Sequence, residues 1–318
     1  MACILRKMNL RKTILILLPL IFLNIYLFRV YRTSISKIIF PVVSEVFQAK
    51  PSQDKSTTII LGGDVMLGRS VMTKSFALNN YAYPFLKIGS FLKSANLVFV
   101  NLEAPFFTPC PKKYSGMVFC TDPKMVQGLV DAGVDVVTLE NNHILNYGQE
   151  GLRQTKVVLS QNQINWVGFG EMTIKTINGT KFGFLGFDFL SKKPTEKDYE
   201  IIKKGKSLVD VLIVGIHWGG EYQAKAGSYQ REIAKKVVAA GADVIAGHHP
   251  HWVQDVEYIL GKPVFYSLGN LVFDQMWSEN TKKGLLVTLT YEGSKLVKEN
   301  QTRVYISEIG QPQLVGSK

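Results

Sequence analysis

The same five-residue step occurs twice in this chain, as Ala132-Gly133-Val134-Asp135-Val136 and as Ala240-Gly241-Ala242-Asp243-Val244. In each copy a helix-like segment stops at glycine and an apolar, β-branched run begins. Each is followed within ten residues by a histidine motif, Asn142-His143 in one case and Gly247-His248-His249-Pro250-His251 in the other. Two copies are too few for a repeat array. They predict a recurring helix-to-strand unit, and the surrounding segments alternate in the same way. Strands are expected over 57–61, 97–100, 263–268, 284–291 and 302–306. Helices are expected over 83–92, 123–132, 149–159 and 228–240. The fold class predicted is α/β, a sandwich with polar residues at strand C-termini and its site along one sheet edge.

The chain has five histidines, and all five follow short apolar runs. They are His143, His217, His248, His249 and His251, with Asp64 and Glu103 at the ends of two further strand-like runs. Imidazole is the commonest protein ligand for Zn, Mn or Fe, and His-x-His places two nitrogens on one turn. Two carboxylates, the Asn142 amide and three or four imidazoles suffice for two divalent metal ions about 3.5–4 Å apart, sharing a carboxylate. Such a pair orients a phosphate and acidifies water, while His143 stands ready as an acid toward a leaving oxygen.

The order Gly63-Asp64, Asn101-x-Glu103, Asn141-Asn142-His143, His217 and His249-x-His251 resembles the calcineurin-like metallophosphoesterase superfamily. The longer stretches Gly63–Arg69, His217–Tyr222 and Ser267–Gln275 resemble one branch of it, the CapA proteins of bacterial capsule or poly-γ-glutamate biosynthesis. The likeness covers residues 57 to about 290. It implies a metallophosphatase-like sandwich of β-sheets flanked by helices, and a role in making, anchoring or exporting an anionic extracellular polymer. It also implies Asp64, Glu103, Asn142, His217, His249 and His251 as metal ligands, with Glu103 bridging. His143 becomes the catalytic histidine and Arg69 a holder of an anionic group. Asn270 and Asp274 would line or buttress the site, and His248 would support a ligand or be one. Three positions depart from the superfamily pattern. Met66 stands where a ligand histidine is usual, Glu140 where a small residue is usual, and Asn146 where an acid is expected to orient the catalytic histidine. Glu140 is a candidate for that orienting role or for a further ligand.

The first fifty residues hold eight Lys or Arg against the single Glu45, so most of the net charge of +12 sits there. The rest of the 318-residue chain is mildly basic, with no Lys/Arg stripe interleaved with aromatics. Nucleic acid is therefore not an expected partner. The domains expected are a basic cytoplasmic segment at 1–12, a transmembrane signal anchor at 13–31, a linker at 32–56 and the folded body at 57–318. The apolar run Ile14–Phe28 is short for a hydrocarbon core of about 30 Å, and flanking residues extend it. A cleaved signal peptide is the competing reading. Both put the body outside the cytoplasm, with the anchor making a single-pass protein of the cell membrane. Cys110 and Cys120 bracket a short loop, as a disulfide or as two thiols. The expected partners are the membrane, an anionic polymer or phosphate-containing substrate, and other membrane subunits of a polymer synthase. A metal-dependent hydrolase, a non-catalytic scaffold subunit and a general phosphoesterase all remain compatible with the sequence.

Overall fold

The computed structural model describes residues 56–316. The segments expected at 1–12, 13–31 and most of 32–56 lie outside the described residues. Among the described residues no helix is long and apolar enough to cross a membrane. The strands in chain order are β1 (Ser56–Val65), β2 (Leu97–Leu102), β3 (Val136–Thr138), β4 (Asn165–Val167), β5 (Thr173–Ile177), β6 (Thr180–Asp188) and β7 (Val211–His217). They continue with β8 (Val244–His248), β9 (Val256–Ile259), β10 (Lys262–Phe265), β11 (Asn270–Val272), β12 (Lys283–Glu292), β13 (Lys295–Glu308) and β14 (Gln311–Leu314). The helices are α1 (Arg69–Ala77), α2 (Gly89–Leu92), α3 (Val126–Asp131), α4 (Gly148–Gln161), α5 (Glu196–Lys206) and α6 (Ser228–Ala239).

Two sheets face each other. One runs β14-β13-β12-β1-β2-β3-β4, with β11 also on β1; the other runs β5-β6-β7-β8-β10-β9. In each, a central parallel set (β1 to β4; β6, β7, β8 and β10) is flanked by antiparallel strands. Between the sheets lies one core of Ile59, Leu61, Phe99, Phe184, Ile213 and Val287 among others. The outer face of the first sheet is covered by α1 to α4, through Val71, Leu92, Leu129 and Leu159. Tyr199 and Ile202 of α5, with Ile233 and Val237 of α6, cover the second. Parallel strands buried on both faces must be apolar almost throughout, which is why β2 and β7 carry no outward polar residue in their middles. Each fully buried Ile, Leu or Phe contributes roughly 1.5–3 kcal/mol of transfer free energy.

The repeated helix-to-strand step has a structural meaning. Asp243, one residue before β8, accepts a hydrogen bond from Leu212 N at 2.8 Å and donates its own N–H to Leu212 O. Asp135 does the same to Val98, one residue before β3. Asp210 repeats it on Lys181 and Asn96 on Thr58. The side-chain oxygen extends the ladder by one bond beyond the strand, so four parallel pairings start from the same clasp.

One expected helix is broken. Residues 83–92 form a 3-10 turn at Tyr83–Phe85 and the single turn α2, and Gly89, inside the expected span, disfavours a helix interior. The other expected elements are present within a few residues. The site expectation changes in one respect: β1, β2 and β3 of one sheet and β7 and β8 of the other end side by side, so two sheet edges contribute rather than one.

Candidate metal centre

The segment from Tyr266 to Asn270 crosses from β10 in one sheet to β11 in the other, and it passes against both ligand-bearing edges. Asp64 N donates to Gly269 O and Leu268 N donates to Gly247 O. Only glycine permits this approach. A Cβ on Gly63 would lie 1.9 Å from Gly269 O, and one on Gly247 would lie 2.1 Å from Tyr266 O. The two glycines therefore set the distance between Asp64 and the His248–His251 turn.

The candidate residues fall into overlapping groups. Ligand atoms of Asp64, Glu103 and His251 lie within 4.8 Å of one another, as do those of Glu103, His217 and His249. Glu103 belongs to both. A third group joins Glu221 to His249 and His251. Asn142 Oδ1 sits 2.9 Å from His217 Nε2. Asp64 is held in place by Asn101 Nδ2 at 2.9 Å, His249 N at 3.3 Å and His251 Nδ1 at 3.1 Å. His248 Nδ1 approaches it to 3.4 Å. Asn101 is in turn fixed by Asn141, whose amide donates to Asn101 Oδ1 and Leu102 O.

Glu103 is different. It is fully buried, and neither carboxylate oxygen has a hydrogen-bond partner. His217 Nδ1 and His249 Nδ1 are likewise buried and unpartnered. A carboxylate in that state is strongly disfavoured unless a cation compensates it. Burial, and then the charge of Asp64, push the Glu103 carboxyl well above its usual range. Burial also raises Asp64, but the imidazoles of His248 and His251 outweigh it and hold that carboxyl low. Burial and the neighbouring His249 keep His217 far below the usual imidazole value, and burial with His251 brings His249 to about 4. His251 moves the other way: burial lowers it, yet Glu103 and Asp64 carry it to about 9. Neutral His217 and His249 offer lone pairs at neutral pH. Carboxylate and imidazole donors around a buried Glu103 that has no hydrogen bond, with His251 Nε2 3.7 Å away, fit divalent cations.

Backbone strain concentrates at the same place. Among the described residues nine non-glycine residues have positive φ, and Arg69, Tyr222, His249 and His251 are four of them. His249 at 92° and His251 at 57° each carry a cost of about 1–3 kcal/mol that the surrounding structure sustains.

His143 lies beside the cluster. Its Nδ1 is 3.1 Å from Asn146 Oδ1, so Nδ1 carries the proton and Nε2 carries the lone pair, which accepts from Asn142 Nδ2 at 3.3 Å. Burial lowers its pKa, partly opposed by the Asn146 hydrogen bond. The amide of Asn146 thus does what an acid was expected to do, and it also accepts Phe119 N at 2.7 Å. Glu140 takes neither of the roles considered for it: its carboxylate accepts Phe169 N at 2.6 Å and Asp188 N at 3.2 Å. Arg69 is engaged by the Asp274 carboxylate, by Gly116 O at 2.8 Å and by the Phe119 ring at 4.6 Å. Phe119 stacks on His143 with centroids 3.9 Å apart. Arg69 therefore builds the wall behind His143, and Asp274 holds Arg69. Cys110 and Cys120 are joined by a disulfide that closes this loop. Asn270 Oδ1 contacts His251 Nδ1 at 3.0 Å. Trp218 is packing, fully buried with its indole N–H on Tyr266 O.

Sequence reasoning assigned no role to Glu221 or Phe119. Glu221 had a signal, being the one acid in the Gly215–Tyr222 motif; Phe119 had none.

A family model described as bacterial capsule synthesis protein PGA_cap matches residues 58–275. The chain is 32% identical over 273 residues to the capsule biosynthesis protein CapA of Bacillus anthracis, across 76% of this chain and 66% of that protein. The match thus spans just under two thirds of that relative. To the PGA biosynthesis protein CapA of Bacillus subtilis (strain 168) it is 28% identical over 307 residues, across 88% of this chain and 77% of the other. Among solved structures, a hypothetical protein from Thermus thermophilus superposes with a TM-score of 0.53 at 14% identity, covering 78% of this chain and 98% of that one. That likeness concerns the fold alone.

Proposed function

This chain belongs to the bacterial capsule synthesis protein family PGA_cap, and we propose that it is a membrane-anchored, extracytoplasmic metal-dependent hydrolase or transferase of an anionic capsular polymer. The observation that carries the reading is Glu103, buried without a hydrogen bond and shared by two donor groups. In this reading Asp64, Glu103 and His251 hold one divalent cation, and Glu103, His217, His249 and Asn142 hold the other. Bound divalent cations supply Lewis-acid polarisation of a phosphoryl or acyl oxygen and acidify water.

The chain's own residues do the rest. Asn146 fixes the His143 tautomer, leaving Nε2 to take up a proton and return it to a departing oxygen. The Phe119 ring limits the tilt of that imidazole and keeps water from one of its faces. The basic run before residue 13 and the apolar segment 13–31 supply the anchor, with the positive end inside. The disulfide supports an oxidising compartment for the body. The substrate is an anionic polymer such as poly-γ-glutamate, which suits a body with a modest positive charge, and other membrane subunits of a synthase are its neighbours.

The test is His143→Ala in cells, compared at matched protein level and matched metal content. Polymer output is expected to fall at least about a hundredfold. Full output in that strain would refute catalysis and leave a scaffold. A reporter fused after residue 50 is expected to be active only outside the cytoplasm; activity inside would refute the topology.

A further inference from the structure

We propose that Glu221 is a metal ligand that completes the Asp64-side site, in the place of the histidine that Met66 displaces. The proposal rests on the two-cation reading above. That site has three protein donors, from Asp64, Glu103 and His251, whereas the other has Glu103, His217, His249 and the neighbouring Asn142 oxygen. Met66 does not fill the shortfall. It is fully buried in the hydrophobic core, and its sulfur accepts Gly68 N at 3.1 Å.

Glu221 is placed to fill it. A carboxylate oxygen of Glu221 lies within 4.8 Å of ring nitrogens of both His249 and His251, one histidine from each site. Buried, unpartnered atoms of Glu103 and His249 independently mark this space as one that takes a ligand. The turn carrying Glu221 is pinned rather than loose. Tyr222 N donates to Pro250 O at 2.9 Å, bringing the turn onto the His249-Pro250-His251 segment. Gly219 has φ of 82°, and a Cβ there would lie 2.6 Å from the Gln230 side chain. Gln230 in turn donates to Gln254, and Gln254 to the carbonyls of Gln223 and Lys225. Among the described residues Glu221 forms no ion pair with Lys or Arg.

Three carboxylates and one imidazole make a hard, oxygen-rich donor set, which suits Mn²⁺ better than a set with a second imidazole. The two sites then differ in kind, one oxygen-rich and one nitrogen-rich.

The experiment strips the full-length protein with chelator and titrates it with Mn²⁺ alone, reading heat and bound metal for wild type, Glu221→Gln and Glu103→Gln. Wild type is expected to bind two equivalents. Glu221→Gln is expected to keep one unchanged and to bind the second at least about tenfold more weakly, with Glu221→Asp intermediate. Glu103→Gln, which removes the shared donor, is expected to weaken both. Two unaltered equivalents in Glu221→Gln would overturn the role of Glu221 while leaving the metal centre intact. Wild type binding no Mn²⁺ would overturn both. Thermal unfolding in chelator, unchanged by Glu221→Gln, separates loss of a ligand from loss of the fold.

Discussion

At their N-terminal ends the parallel strands are preceded by Asn96, Asp135, Asp210 and Asp243; at their C-terminal ends they carry Asp64, Asn101 and, just beyond, Glu103 and Asn142. The residue types match, but the surroundings do not. Every side chain of the first group clasps the N–H of a neighbouring strand, and Asp243 additionally holds Lys206 at 2.6 Å and Lys262 at 2.8 Å. At the other end Asp64 is hydrogen-bonded but Glu103 is not. A buried polar group with its partners in place belongs to the fold, and one without them points to something the fold receives. One edge of each sheet is therefore specialised for pairing strands and the opposite edge for holding a ligand.

The largest effect expected on this contrast is at Glu103. Glu103→Ala should lower divalent metal affinity at least about a hundredfold, beyond the range typical of outer-shell changes. In chelator the same variant should be no more than about 1 kcal/mol less stable than wild type, because a buried carboxyl without a hydrogen bond is lost along with its packing. Denaturant unfolding with and without metal measures both; a collapse of stability in chelator would make Glu103 a part of the fold.

Asp243→Asn should do the reverse. Loss of its charge-assisted bonds to two half-exposed lysines should cost about 1–2 kcal/mol and leave metal content unchanged. Burial raises this carboxyl, but Lys206, Lys262 and Leu212 N outweigh it and leave its pKa below the ordinary 3.8. Its contribution is therefore complete above about pH 4 and is lost as pH falls through the folded value. An unfolding series from pH 7 to pH 3 should show the wild-type advantage over Asp243→Asn shrink with acid.

The smallest effect is expected at Asp135, which makes the equivalent clasp without a lysine. Burial raises its carboxyl above 3.8 despite the Val98 N–H. Folding shifts its balance toward the protonated form, so its contribution is present below the usual Asp value and is lost as pH rises through the folded value. Asp135→Asn should stay within about 0.5 kcal/mol of wild type at pH 7, and a larger loss would show that the two copies of the step are energetically alike.

The two copies of that step were legible because strand starts, helix stops and histidine turns leave local marks: glycine, a β-branched run, a polar residue at the end. The same marks place Asp64, Glu103, Asn142, His143, His217, His249 and His251 in one region before any coordinates. What they do not carry is what lies across the sandwich. Glu140 was a candidate with an open role and Asn146 a departure from the acid expected there, and only the fold shows that Glu140 faces the amides of Phe169 and Asp188 while Asn146 meets His143. Arg69, expected to hold an anion, is turned into the wall by Asp274, more than two hundred residues later. Helix α5 went unread although Thr195 and Asp198 form a capping box, because the lysines of its last turn hide its narrow apolar face. The broken 83–92 helix shows a local mark, Gly89, given too little weight.

The disulfide between Cys110 and Cys120 has a consequence for how such a protein is prepared. None of Asp64, Glu103, Asn142, His217, His249 and His251 lies in the loop it closes, so reduced chain keeps the full donor set. Phe119 does lie there, and it is the ring against which His143 rests. Material made in a reducing cytosol and material made by export thus share a sequence and a metal-binding edge but differ in the footing of His143. Two laboratories comparing their preparations would be comparing redox histories.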